Sequence, residues 1–197
     1  LLLLISINDF RKTYFGTALG YVWSLARPLM LFAVLLFVFT RIFRVGSEVA
    51  HYPVLLLFNI VMISFVQEAT QTAVVSVVNQ EGVVRKTHFP RLVIPLAVVM
   101  TSFFNFCTNL IAVIIFVVAF GVTITWTWLL FPVVALLLFV FSLALSMLLS
   151  SLYPRFRDVG IIWSVLVTAL FYATPVLYPL EIVPSQYVDI VMINPLA

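Results

Sequence analysis

Five long apolar runs, roughly 28–44, 54–76, 92–120, 128–150 and 160–178, leave this 197-residue chain few ways to fold. The hydrocarbon core of a bilayer is ~30 Å thick and takes about 20 helical residues at ~1.5 Å each. Each run approaches or exceeds that length. Hydrophobic residues make up 64% of the chain and charged residues 9%, against roughly 45–50% and about 25% in soluble domains. Too few polar groups remain to cover a water-facing surface, so the sequence predicts an integral membrane protein. The runs lack the ~10-residue alternation of a membrane barrel, which leaves an all-α polytopic bundle. The first run is short unless Leu19–Arg27 extends it, and the third is long enough to tilt or to project beyond the lipid. Pro28, Pro53, Pro95 and Pro132 stand near the starts of runs, where a missing N–H costs least.

Orientation follows from where the basic residues fall. Arg11, Lys12 and Arg27 precede the first run, Arg85, Lys86 and Arg91 lie in 77–91, and Arg155 and Arg157 lie in 152–158. These segments carry eight of the ten Lys and Arg and are expected on one side, the cytoplasmic one. Arg41 and Arg44 fall on the other. The clusters sit between apolar spans rather than along one continuous face, so the net charge of +3 does not describe a nucleic-acid binder. A single Cys107 supports no disulfide framework. The chain opens LLLLISINDF without a basic n-region and stops at INPLA. Both ends are expected to be cuts in a longer chain, with a sixth helix returning the C-terminus to the cytoplasm.

Catalytic and cofactor motifs are not found. G-x-x-x-x-G-K-[ST] is missing, and Lys12 and Lys86, the only lysines, sit in no Gly-rich turn. His51 and His88 stand in different loops, so neither a metal site nor a nucleophile–base pair is expected at membrane depth. The chain is not read as an enzyme.

Polar residues inside the spans are the first functional candidates. Ser64, Gln67, Glu68 and Gln71 recur at i, i+3, i+4 and i+7 on the second run, and Thr101, Asn105, Thr108 and Asn109 form a stripe on the third. A carboxylate at a helix centre costs ~2.5–3.5 kcal/mol on insertion scales, so both stripes should face the bundle interior. Two readings fit: a polar wall along a transport path, with Glu68 foremost, or interhelical hydrogen bonding worth ~0.6 kcal/mol per contact. Before the first run, Phe10, Tyr14, Ala18, Tyr21 and Leu25 recur at helical spacing with Asp9, Arg11 and Lys12 off the stripe. This predicts an amphipathic interface helix over 1–27 that turns into the first span at Arg27-Pro28. Its Gly16 and Gly20 suit close packing.

Aromatics have a similar double reading. Trp126 and Trp128 flank an outer turn as interfacial anchors. Phe32, Phe37, Phe39 and Phe43 on the first run, and Trp163, Phe171, Tyr172 and Tyr178 on the last, are lipid or core contacts or flat faces on which sugar rings slide. Pro175, Pro179 and Pro184 interrupt 173–187. A continuous helix is not expected there, and both a capping segment at the outer mouth and a plain loop fit. The basic island 77–91 is too polar to span. Topology and headgroup contact explain its charges; a docking element for a cytoplasmic partner also explains Asn79, Gln80 and Glu81 and the aromatic-Pro-basic triplet Phe89-Pro90-Arg91.

FRKTYFGTALGYVWSLARPL at 10–29, VVRKTHFPRLVIPLA at 83–97, LYPRFRDVG at 152–160 and ATPVLYP at 173–179 together resemble the membrane subunits of ABC-2 type exporters. The resemblance is greatest to the branch that exports O-antigen, capsule and teichoic acid chains. It covers nearly the whole chain in order. It implies one transmembrane domain over 1–197, five helices here plus the interface helix, and two permease copies above two copies of a separate ATPase subunit that binds Mg-ATP. The chain itself would take no cofactor. By resemblance, Glu81, Arg85, Lys86, Phe89, Pro90 and Arg91 form the coupling element, and Tyr153, Arg155 and Asp158 a second cytoplasmic contact. The first and fifth spans would line the glycan path, with Phe32, Phe37, Phe39, Trp163, Tyr172 and Tyr178 beside Gln67, Glu68, Gln71 and Asn105. Residues 173–187 would form the outer gate. The expected function is export of lipid-linked polysaccharide across the bacterial inner membrane. A small-molecule exporter of the same architecture, or a non-transporting membrane scaffold, remains the alternative.

Overall fold

The computed structural model describes residues 6–7, 22–42, 51–80, 92–123 and 125–177, with 186, 192, 194 and 196. Helix α1 runs Val22–Phe37 and continues through a π-helical turn, Val38–Ile42. Helix α2 is Tyr52–Asn79, α3 is Val93–Ala119, and a 3-10 turn at Trp126–Leu130 leads into α4, Phe131–Leu152. Helix α5 is Asp158–Ala173. No strand occurs among the described residues.

Four helical stretches, Val22–Ile42, Tyr52–Asn79, Val93–Ala119 and Trp126–Leu152, are long and apolar enough to cross a membrane. The fifth expected span differs. At 16 residues, α5 is about 24 Å long, short of a ~30 Å core. Pro175 explains the stop. It has no N–H for the Phe171 carbonyl and disfavours helix at the residue before it, and Thr174 is extended at φ −83° and ψ 142°. The apolar letters Val176 and Leu177 carry the hydropathy onward, but the hydrogen-bond ladder does not follow.

Of the two starts open to the first run, the structure has the one that extends before Pro28. Pro28 lies inside α1, which begins at Val22. Six residues assigned to the interface helix therefore belong to the first span. A backbone entering lipid has no solvent to accept its polar groups, so the helix continues past the proline. Residues 8–21, the body of the expected interface helix, lie outside the described residues.

Helix α2 touches each of the other four helices and supplies most of the core. Leu56, Leu57, Ile60, Ala69 and Ala73 are wholly buried. A helix surrounded on all sides shows little apolar asymmetry. Rings lock α2 to its neighbours: Phe65 meets Phe106 at 5.1 Å and Phe103 at 6.0 Å, and Phe58 meets Phe131 at 5.4 Å. Across from Ala69 and Ala73, α4 presents Ser142, Ser146 and Ser150, all buried. Small side chains there allow close approach, and the Ser146 hydroxyl donates to the Ala69 carbonyl at 3.3 Å. Most of the surface of α4 and α5 is otherwise exposed and apolar.

Candidate translocation path and coupling contacts

The polar stripe of α2 does not form one wall. Because neighbours surround α2, successive polar residues meet different helices. Gln67 donates from Nε2 to the Val167 carbonyl of α5 at 3.4 Å. The Glu68 carboxylate accepts from Asn105 Nδ2 of α3. Gln71 is exposed. On α3, Thr101 and Thr108 donate to carbonyls of their own helix, Ala97 and Phe104, each at 3.0 Å. The buried Asn109 Oδ1 has no hydrogen-bond partner.

The aromatic candidates also divide. Phe32 is buried and meets Phe116 edge-on at 5.3 Å, and Trp163 is buried among Val74, Leu149 and Val167. Phe39 is half-buried. Phe37 and Tyr172 are exposed, at 61% and 65%, so these two face outward from the bundle. Tyr178 lies outside the described residues. A cavity of about 230 Å³ between α2, α4 and α5 is bordered by Gln67, Phe141, Trp163 and Leu170. Apart from Gln67 and the Trp163 indole, its lining is apolar.

At the end of the bundle where α5 stops, the segment after α5 is caught by α2. Tyr52 donates its hydroxyl to the Leu177 carbonyl at 2.8 Å, and Asn59 Nδ2 lies 3.4 Å from the carbonyls of Pro175 and Val176. These carbonyls have left the helical ladder, and in a buried setting each needs a donor. Thr174 donates to the Leu170 carbonyl and accepts from Asn194, both at 2.7 Å. Tyr52 and Asn59 are not among the sequence-based candidates, though their spacing of seven puts them on one face of α2. Ser142, Ser146 and Ser150 carry a signal of the same kind in their spacing of four.

At the other end, Val74, Leu149, Tyr153, Val159 and Trp163 pack in one cluster, so the C-terminal part of α2 and the 153–158 connection lie at the same end of the bundle. Glu81, Arg85, Lys86, Phe89, Pro90 and Arg91 lie outside the described residues. The second connection is ordered by its own side chains. The Arg157 guanidinium sits 5.2 Å from the Tyr153 ring centre, and Arg155 sits 5.5 Å from that of Phe156. Arg155 and Asp158 are exposed. A Cβ on Gly160 would stand 2.9 Å from Tyr153 Cε2, so only glycine lets the ring lie against α5. Gly160→Val should displace Tyr153 and the arginine stacked on it, costing ~1–3 kcal/mol of stability by overpacking. A thermal midpoint equal to that of the unsubstituted protein would show that the ring moves freely.

A family model described as ABC-2 type transporter matches residues 1–197. The chain is 30% identical over 199 residues to the O-antigen export system permease protein RfbA of Klebsiella pneumoniae, covering 100% of this chain and 76% of that protein. It is 31% identical over 186 residues to the protein of that name from Myxococcus xanthus, covering 93% and 71%. With its apolar helices packed around α2 and a family match along its whole length, the chain belongs to the ABC-2 type transporter family.

Proposed function

We propose that this chain is the membrane-spanning permease subunit of an ATP-driven exporter of lipid-linked polysaccharide in the bacterial inner membrane. The observation that carries the reading is its similarity, along the whole chain, to permeases named for O-antigen export. Hydrolysis of ATP belongs to a separate cytoplasmic subunit, in keeping with a sequence that has no phosphate-binding loop. Two permease copies face each other, and the glycan passes between them along α1 and α5. The exposed aromatic rings of Phe37 and Tyr172 suit that path, since a flat apolar face holds a sugar ring weakly and lets it go.

Coupling starts at Glu81, Arg85, Lys86, Phe89, Pro90 and Arg91, with Tyr153, Arg155 and Asp158 as the second contact. Residues 81–91 join α2 to α3, and α2 touches every other helix. A push on this connection therefore reaches the outer end, where Tyr52 and Asn59 hold the 174–177 segment. Deleting the gene and measuring lipid-linked glycan on each face of the inner membrane tests the reading. Accumulation on the cytoplasmic face with loss from the cell surface is expected. Unchanged glycan on both faces would rule out this substrate class.

A further inference from the structure

The turn between α4 and α5 is built unlike an ordinary water-facing loop. Two large apolar side chains stand on it unburied, Phe156 at 54% and Leu152 at 37% exposure. Two cations flank the phenylalanine in sequence. Arg155 lies 5.5 Å from the Phe156 ring centre, and Arg157 lies 5.2 Å from that of Tyr153. A ring face holds a guanidinium in place without neutralising it. Asp158 is the single acidic residue in 152–158, so the turn keeps one net positive charge. All three charged side chains are exposed.

The connection is also too short to leave the membrane surface. Helix α4 ends at Leu152 and α5 begins at Asp158. The backbone between them stays folded: the Phe156 N–H donates to the Leu152 carbonyl at 2.9 Å, and the Val159 N–H to the Phe156 carbonyl at 3.2 Å. The stretch Trp126–Leu152 has 27 residues and is about 40 Å long. A bilayer with its headgroups measures ~40–45 Å. The turn therefore falls at headgroup level, where a phosphate and the tops of acyl chains lie side by side.

We infer that the Leu152–Arg157 turn is a seat for an anionic phospholipid: Arg155 and Arg157 meet its phosphate, while Phe156 and Leu152 lie among the tops of its acyl chains. Charge and apolar surface together select this partner, since a free phosphate would leave both apolar side chains in water. The inference goes beyond the export reading, which gives Phe156 and Arg157 no role, and it concerns the lipid of the bilayer rather than the cargo.

The test uses the purified transporter in lipid nanodiscs, carrying Cys107→Ser and Ser151→Cys. Position 151 is exposed beside the turn and takes a fluorophore. Nitroxide-labelled phosphatidylglycerol and nitroxide-labelled phosphatidylcholine are compared as quenchers at equal mole fraction. A label at Val118→Cys, exposed at the opposite end of the bundle, is the control. One net positive charge near the surface predicts that phosphatidylglycerol occupies the seat roughly fivefold more than phosphatidylcholine. Arg157→Gln and Arg155→Gln each remove that net charge and should bring the two lipids to parity. Arg157→Lys should keep the preference, and the Val118 position should show none. Equal quenching by the two lipids in the unsubstituted protein, or a preference that survives both glutamine variants, would overturn the inference. So would feeble quenching by either lipid, the result expected if the ATPase covers the turn instead. No glycan enters these readouts, so they stand or fall apart from the export measurement.

Discussion

Reversing both charges at Arg85 and Lys86, as Arg85→Glu with Lys86→Glu, is expected to abolish stimulation of the partner ATPase and to cut export at least ~10-fold. Such a loss corresponds to ~1.4 kcal/mol or more of coupling energy, a modest demand on two reversed charges at a contact between subunits. The permease itself should still insert correctly. Six of the eight basic residues assigned to the cytoplasmic side would remain, enough to keep the inside bias. Co-purification of the ATPase and its activity at saturating ATP are the measurements. Activity at the level of the unsubstituted transporter would remove 81–91 from the coupling pathway. Arg41→Glu, on the opposite side, should leave both readouts as they were.

The second large effect is expected at the α2–α4 crossing. Ser146 is wholly buried and its hydroxyl sits on the Ala69 carbonyl. Ser146→Leu would force a branched side chain between two backbones held close by Ala69, Ala73, Ser142 and Ser150. Overpacking of this kind costs about 1–3 kcal/mol, occasionally more, and here the helix displaced is one of those packed against the hub. Ser146→Ala loses only the interhelical hydrogen bond, ~0.6 kcal/mol. Thermal stability followed by size-exclusion in detergent should therefore separate the two variants clearly. If leucine and alanine behave alike, the helices are not in close contact at this level.

Apolar length was the most legible property of the sequence. The cores of the first four spans stand where the apolar runs stand, because a helix in lipid closes its own hydrogen bonds and needs little else to define it. Ends were less legible. Pro28 and Pro175 look alike as letters, yet the first lies within a helix that passes through it and the second ends one. The difference lies in what surrounds them: α1 continues in apolar surroundings, while the carbonyls after Pro175 find donors on Tyr52 and Asn59. Hydropathy records neither.

The candidate site was harder to read for a related reason. Spacing along α2 places Gln67, Glu68 and Gln71 on one face, but it says nothing of how many helices share that face. Once α2 is central, Gln67 belongs to α5, Glu68 to α3, and Gln71 to the exterior. The aromatics of α1 and α5 divide likewise into packed rings, Phe32 and Trp163, and open ones, Phe37 and Tyr172. Burial distinguishes them, and burial depends on partners far away in the chain.

The early end of α5 has a consequence for the lipid rather than for the protein. A helix of 16 residues beside longer neighbours offers less helical height than an unperturbed bilayer requires. Lipids along that flank must thin or tilt to match it, at a fraction of a kcal/mol per Å. A bilayer beside α5 is therefore expected to be thinner than one beside the four longer helices.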